Sequence, residues 1–293
     1  MTDNWKTLAW NGIRCKIPTT WEVAHIGARH LILEDETGPV MEIKWGPVKG
    51  TFSHRTHLKR LAALQSRRSK ISVAKWILPP PWEAALKEFE AGGFLWQSPE
   101  SGGRGAILFC PVCRTATLIQ FFVDSSVKRE QIFLAVLKSF VDHSRDGWLP
   151  WSMFDIRATL PQSFQLERFR FEAGKFELAF SAGRQHIYLH RWAPAAALLA
   201  GRDLIGFAGS IPEFVDGAPR PLTINNCNAV EWEILPANDW RKKLSRFKIK
   251  SSYFYYRMWV LEEKNRILGV RADAKHPVDI ELLKQICEMY ESL

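Results

Sequence analysis

The chain has 293 residues, 46% of them hydrophobic and 24% charged, which is enough apolar material to bury cores in about two domains and too much for a disordered polymer. A net charge of +9 is compatible with nucleic acid, acidic proteins or anionic surfaces and chooses none of them. Five cysteines make no disulfide framework, the amino terminus lacks a secretory apolar run, and the longest small-apolar stretch, Ala193 to Ala200, is too short for a bilayer, so a cytoplasmic protein without membrane insertion is expected.

In chain order, the first landmark is Ile13-Arg14-Cys15-Lys16-Ile17-Pro18-Thr19-Thr20-Trp21-Glu22-Val23, in which an apolar pair precedes a proline, two polar residues and an aromatic. Glu34-Asp35-Glu36-Thr37-Gly38 predicts a reversal before the alternating strand Val40 to Trp45, which leads into Trp45-Gly46-Pro47. Leu58, Leu61, Ala62 and Gln65 then share one face of a predicted helix. Further strands follow, and Ile132, Phe133, Val136, Leu137 and Phe140 mark the apolar face of a closing helix. Ser144 to Trp151, with a glycine and a proline, is the predicted boundary; its two tryptophans are expected in a contact between the copies.

Beyond it the same landmarks return in the same order. Ile156 to Leu166 repeats the opening, with Pro161 and Phe164 for Pro18 and Trp21; Trp192-Ala193-Pro194 repeats the Trp-x-Pro step; and Leu282, Leu283, Ile286, Cys287 and Tyr290 repeat the closing face. Phe176 to Phe180 and Ser181-Ala182-Gly183-Arg184 supply a strand and its turn, and Ala195 to Gly206 takes the place of the helix. The prediction is therefore an α+β fold of two similar tandem domains, residues 1–146 and 147–293, each a mainly antiparallel sheet packed with helices. Ile17-Pro18-Thr19-Thr20-Trp21, Leu160-Pro161-Gln162-Ser163-Phe164 and the two closing helices resemble the Mog1/PsbP-like fold. The resemblance implies non-enzymatic binding and carries no specific site residue; Phe164 departs from its usual aromatic.

The sharpest chemical motif is Cys110-Pro111-Val112-Cys113, between the apolar run Ala106 to Phe109 and the strand-like Thr117 to Phe122. Two thiols at this spacing grip one side of a zinc ion, and Cys227 and His143 complete four ligands only if folding brings them near. A thioredoxin-like role would need the pair at a helix amino terminus, whereas these cysteines are predicted between strands. The plain alternative is two cysteines in a turn.

Arg55, Lys59, Arg60, Arg67 and Lys70 form a basic helix side, and Arg241-Lys242-Lys243 opens a basic run followed by tyrosines, a pattern that suits phosphates and stacked bases but equally a solvated helix face and a packed strand. Trp76, Trp82 and Trp96 surround Pro79-Pro80-Pro81, either as an aromatic groove or as a core beneath a long loop. His54 and His57, and His186 and His190, are pairs without a metal-binding motif. No phosphate loop, Gly-x-Ser-x-Gly elbow or His-Glu-x-x-His occurs, which lowers the expectation of an enzyme. The expected function is a non-catalytic binding or adaptor protein with a protein partner and no cofactor; the alternatives are a zinc- or thiol-dependent protein and a nucleic-acid-binding protein.

Overall fold

Alternation of apolar and polar residues runs through most of the chain, and the structure turns it into antiparallel strands. The computed structural model describes residues 4–69, 71–122, 127–211, 219–234 and 253–293. The chain divides into two units, Met1–Ser144 and Arg145–Leu293.

In the first unit β1 (Trp5–Trp10) and β2 (Ile13–Pro18) form a hairpin whose turn, Asn11 and Gly12, takes the positive φ values of 45° and 97° that these two residue types tolerate. β3 (Glu22–Gly27), β4 (His30–Asp35) and β5 (Gly38–Pro47) meander, and α1 (His54–Ser69) crosses to β6 (Ser72–Trp76). The chain continues through α2 (Pro80–Ala85), β7 (Glu90–Gln97), β8 (Gly102–Phe109), β9 (Thr115–Phe122) and α3 (Val127–Ser139). The sheet order is β3-β4-β5-β9-β8-β7-β6. One sheet face, with Phe94, Trp96, Ile107 and Leu118, packs against Phe52 and against Leu58 and Leu61 of α1. On the other face Phe121 stacks on Phe133 of α3 at 4.1 Å. The chain leaving α3 is tied to β2, since Arg14 and Val141 exchange two backbone hydrogen bonds of 2.8 Å and Lys16 N donates to Ser139 Oγ at 2.8 Å.

The second unit opens with the hairpin β10 (Trp148–Met153) and β11 (Ile156–Pro161). Next come β12 (Gln165–Glu172), β13 (Lys175–Ala182), β14 (Gln185–Trp192), α4 (Ala195–Leu199), α5 (Leu204–Ala208), β15 (Arg220–Ile224), β16 (Cys227–Ile234), β17 (Tyr253–Leu261) and β18 (Arg266–Ala274). α6 (Ile280–Glu288) closes the unit, followed by β19 (Glu291–Ser292), which pairs with β11. The sheet order, β12-β13-β14-β18-β17-β16-β15, repeats that of the first unit strand for strand.

The α+β expectation is overturned. Nineteen strands against six helices are described, strand residues outnumber helical ones more than two to one, and large antiparallel sheets rather than packed helices organise the chain. Two physical reasons explain the error. The segments flanking α2 pair as β6 and β7 and add a sheet edge, as do β15 and β16 in the second unit, although their periodicity is weak. The predicted helix Ala195 to Gly206 is broken in two, because Ala200 and Gly201 adopt φ of 47° and 81° between α4 and α5. Trp148 and Trp151 lie in β10, where Trp151 packs on Phe180 at 4.7 Å within the second unit. Among the described residues no helix is long and apolar enough to cross a membrane.

Candidate metal centre

The β8–β9 turn runs from Cys110 to Thr115 and is closed by Cys110 N donating to Thr115 O at 3.0 Å and Arg114 N to Cys110 O at 2.9 Å. Arg114, at φ 56°, turns the chain back after Cys113. The second half of the cluster comes from the chain beyond α3. Its two hydrogen bonds with Arg14 hold Val141 to the edge of β2, and the next two residues, Asp142 and His143, lie against the β8–β9 turn.

One donor atom from each of Cys110, Cys113, Asp142 and His143 lies within 4.8 Å of all the others. Individual separations are 3.6 Å for Cys110 Sγ to His143 Nδ1, 3.3 Å for Cys113 Sγ to Asp142 Oδ2, and 2.8 Å for His143 Nδ1 to Asp142 Oδ1. Tetrahedral zinc, with bonds of about 2.0–2.3 Å, places its ligands roughly 3.3–3.8 Å apart, so small side-chain rotations would accommodate it. Cys110 and Asp142 are buried, while Cys113 and His143 are half-buried. The groups also contact one another, the Cys113 thiol donating to Asp142.

The Asp142 carboxylate is 1% exposed and pairs with the neighbouring His143, with no arginine or lysine in ion-pair reach among the described residues. A buried carboxylate so placed is costly unless a positive charge joins it. Burial pushes the Cys113 thiol up to about 12, with Asp142 adding to the effect against hydrogen bonds to Thr115. A bound metal reverses this balance, because a coordinating thiol gives up its proton.

Of the ligands considered from sequence, Cys110, Cys113 and His143 converge; Cys227 does not join them and sits on β16, its thiol donating to Asn225 O at 3.6 Å. Asp142 is not among the ligands the sequence suggests. Its signal was adjacency to His143 in a chain with few Cys and His, which alone is too common to read. All five cysteines are free of disulfides.

Arg55, Lys59 and Arg60 are exposed on α1. The Arg67 side chain, Lys70, Arg241, Lys242 and Lys243 lie outside the described residues. Trp76 and Trp82 meet edge to face at 5.0 Å, with Trp82 fully buried near Phe121 and its indole donating to Glu130 at 2.7 Å. Trp96 lies on the opposite sheet face, 6% exposed and 5.4 Å from Phe122, so the three tryptophans do not line one groove.

No family model and no curated protein matches the chain. Among solved structures it is similar to the apo immunity protein TplEi of the T6SS from Pseudomonas aeruginosa, at a TM-score of 0.35 and 13% identity over 99% of this chain and 97% of the other. The same immunity protein complexed with "L" peptide is similar at a TM-score of 0.34 and 13% identity, over 99% of both chains. Likenesses of this degree carry no functional argument, and they do not show a Mog1/PsbP-like fold.

Proposed function

We propose that this chain is a cytoplasmic, non-catalytic binding protein made of two copies of one domain, the first of which is fastened by a single zinc ion held by Cys110, Cys113, Asp142 and His143. The convergence of four donors from two segments carries the reading. Four protein ligands fill a tetrahedral shell and leave no position for a reacting water, the arrangement of structural rather than catalytic zinc. The high pKa of Cys113 argues in the same direction, since a thiol that resists ionisation without metal is a poor nucleophile. The repeated sheet order supports the duplication.

The direct test is the metal content of protein purified without chelator, together with thiol titration in the native and unfolded states. One zinc per chain, lost in Cys110→Ser/Cys113→Ser and in Asp142→Ala, is the expected result. A metal-free protein whose thiols react freely before unfolding would refute it.

A further inference from the structure

A cleft of about 650 Å³ lies in the first unit between α1 and the neighbouring sheet face. Leu61, Ile107 and Leu118 give it apolar walls, while Lys44, Lys49, His57 and Arg60 stand around it and no acidic residue among those described lines it. Lys44 is committed to Glu42 at 2.5 Å. Lys49 and Arg60 are exposed and have no ion-pair partner among the described residues.

Pairing register shows why the space exists. Gly46 pairs with Ala116, which pairs with Phe109, as Trp192 pairs with Ile267, which pairs with Val260. In the second unit the Trp192 indole fills this place against Phe207 of α5 at 5.8 Å, within an apolar cluster that includes Leu204 and Met258. In the first unit a Cβ on Gly46 would meet nothing within 4 Å. The loop bordering the cleft is also anchored, since Arg114 Nη2 donates to Gly50 O at 2.6 Å and Val48 N to Arg114 O at 2.8 Å.

We infer that this cleft binds a small phosphate monoester, the apolar body resting on Ile107 and Leu118 and the phosphate reaching Lys49 and Arg60. These two cations, without an ion-pair partner among the described residues, match the nearly doubly negative charge of a phosphate monoester at neutral pH, with Thr51, Ser53 and Thr56 adding hydroxyls. The volume suits a small organic ligand, and an apolar floor with a few polar groups at the rim is the usual composition of such sites.

The test is an amide NMR titration of the full chain with phenyl phosphate, inorganic phosphate and a single-stranded oligonucleotide, repeated after chelation. Saturable shifts at Thr51, Thr56, Ala116 and Leu118 with phenyl phosphate are expected, and inorganic phosphate should bind more weakly. Lys49→Gln/Arg60→Gln should weaken binding by about tenfold or more. Gly46→Trp should abolish it without changing any charge, by supplying the side chain that closes the cleft in the second unit. The inference fails if phenyl phosphate gives no saturable shift there, if either variant keeps wild-type affinity, or if inorganic phosphate binds as well. It also fails if only the oligonucleotide binds, with shifts along Arg55 and Lys59. Ligand binding and zinc content are measured separately on the same purified protein, so either proposal can fall alone.

Discussion

In the first unit the β8–β9 turn meets the chain beyond α3 through two thiols, a carboxylate and an imidazole. In the second, the turn between β17 and β18 meets the chain beyond α6 through Lys264, whose Nζ donates to Ser292 O at 2.7 Å. Pairing register makes the turns counterparts: Cys110 to Thr115 spans from the Phe109–Ala116 pair, Leu261 to Arg266 from the Val260–Ile267 pair, and the penultimate residues Arg114 and Asn265 take φ of 56° and 54°. Cys113 therefore holds the place of Lys264. The same corner is stitched once by groups that suit a metal and once by a self-sufficient hydrogen bond, so only the first stitch should depend on solution conditions that remove metal or oxidise thiols.

Metal removal is the strongest way to test that difference. Chelation, or Cys110→Ser/Cys113→Ser, should destabilise the first unit by about 4 kcal/mol, the linkage expected for a ligand at a thousandfold excess over its dissociation constant. Calorimetry should show the transition of the first unit moving while that of the second stays. Equal movement of both, or of neither, would remove the contrast between the corners.

Acid should work on the other unit. His190 of β14 is fully buried beside Glu177, with Nε2 to Oε2 at 3.4 Å, and burial lowers its pKa against the pull of that carboxylate. The unfolded chain then binds a proton that the folded one refuses, so stability falls as pH drops below about 6.5. The His190 hydrogen bond, and then Arg168, hold Glu177 down at about 2, so its contribution is present above the ordinary carboxylate range and is lost as pH falls from that range through about 2. Both slopes have the same sign. His190→Gln should flatten the pH dependence of the second transition between pH 7 and 5; an unchanged slope would assign it elsewhere.

Lys264→Met is the smaller counterpart of the cysteine variants. It removes one charge-assisted hydrogen bond at a half-exposed corner and should cost about 1 kcal/mol in urea unfolding of the second unit, independent of chelator. A loss as large as that of the metal-stripped first unit would mean that the lysine stitch is not the weaker one.

What the sequence disclosed followed the range of its interactions. The thiol pair was legible because its spacing is local, and His143 could be nominated because the ligand inventory was short; Asp142 could not, because its approach depends on the Arg14–Val141 pairing across most of the unit. Turns at Gly38 and Gly183 and the strand through Val40 were visible from alternation and glycine, and are found at the β4–β5 turn, the β13–β14 turn and in β5. The landmark that aligned Trp45 with Trp192 is off by one residue. Trp45 donates its indole N–H to Asn11 O on the hairpin side, whereas Trp192 packs on Phe207 beneath α5, so the two face opposite sides of their sheets. A one-residue slip inverts a strand's faces, and this one hid the glycine that opens the cleft.

The opening hairpins offer the finest contrast. Asn11 and Gly12 turn the first at little cost, but the matching turn of the second places Phe154 at φ 54°, where an aromatic residue is strained by about 1 kcal/mol. Phe154 is 41% exposed, yet its ring lies 4.8 Å from Phe171 and 5.7 Å from Phe176, contacts together worth about as much as the strain. Phe154→Asn gives up the rings and relieves the backbone, so it should change stability by less than about 0.5 kcal/mol. Phe154→Ala gives up the rings and keeps the strain, and should cost about 1 kcal/mol more than the asparagine variant. Urea unfolding of the pair separates the two contributions: equal losses would show that the turn stores no strain, and a large loss for asparagine alone would show that the aromatic cluster, rather than the turn, determines which residue is kept there.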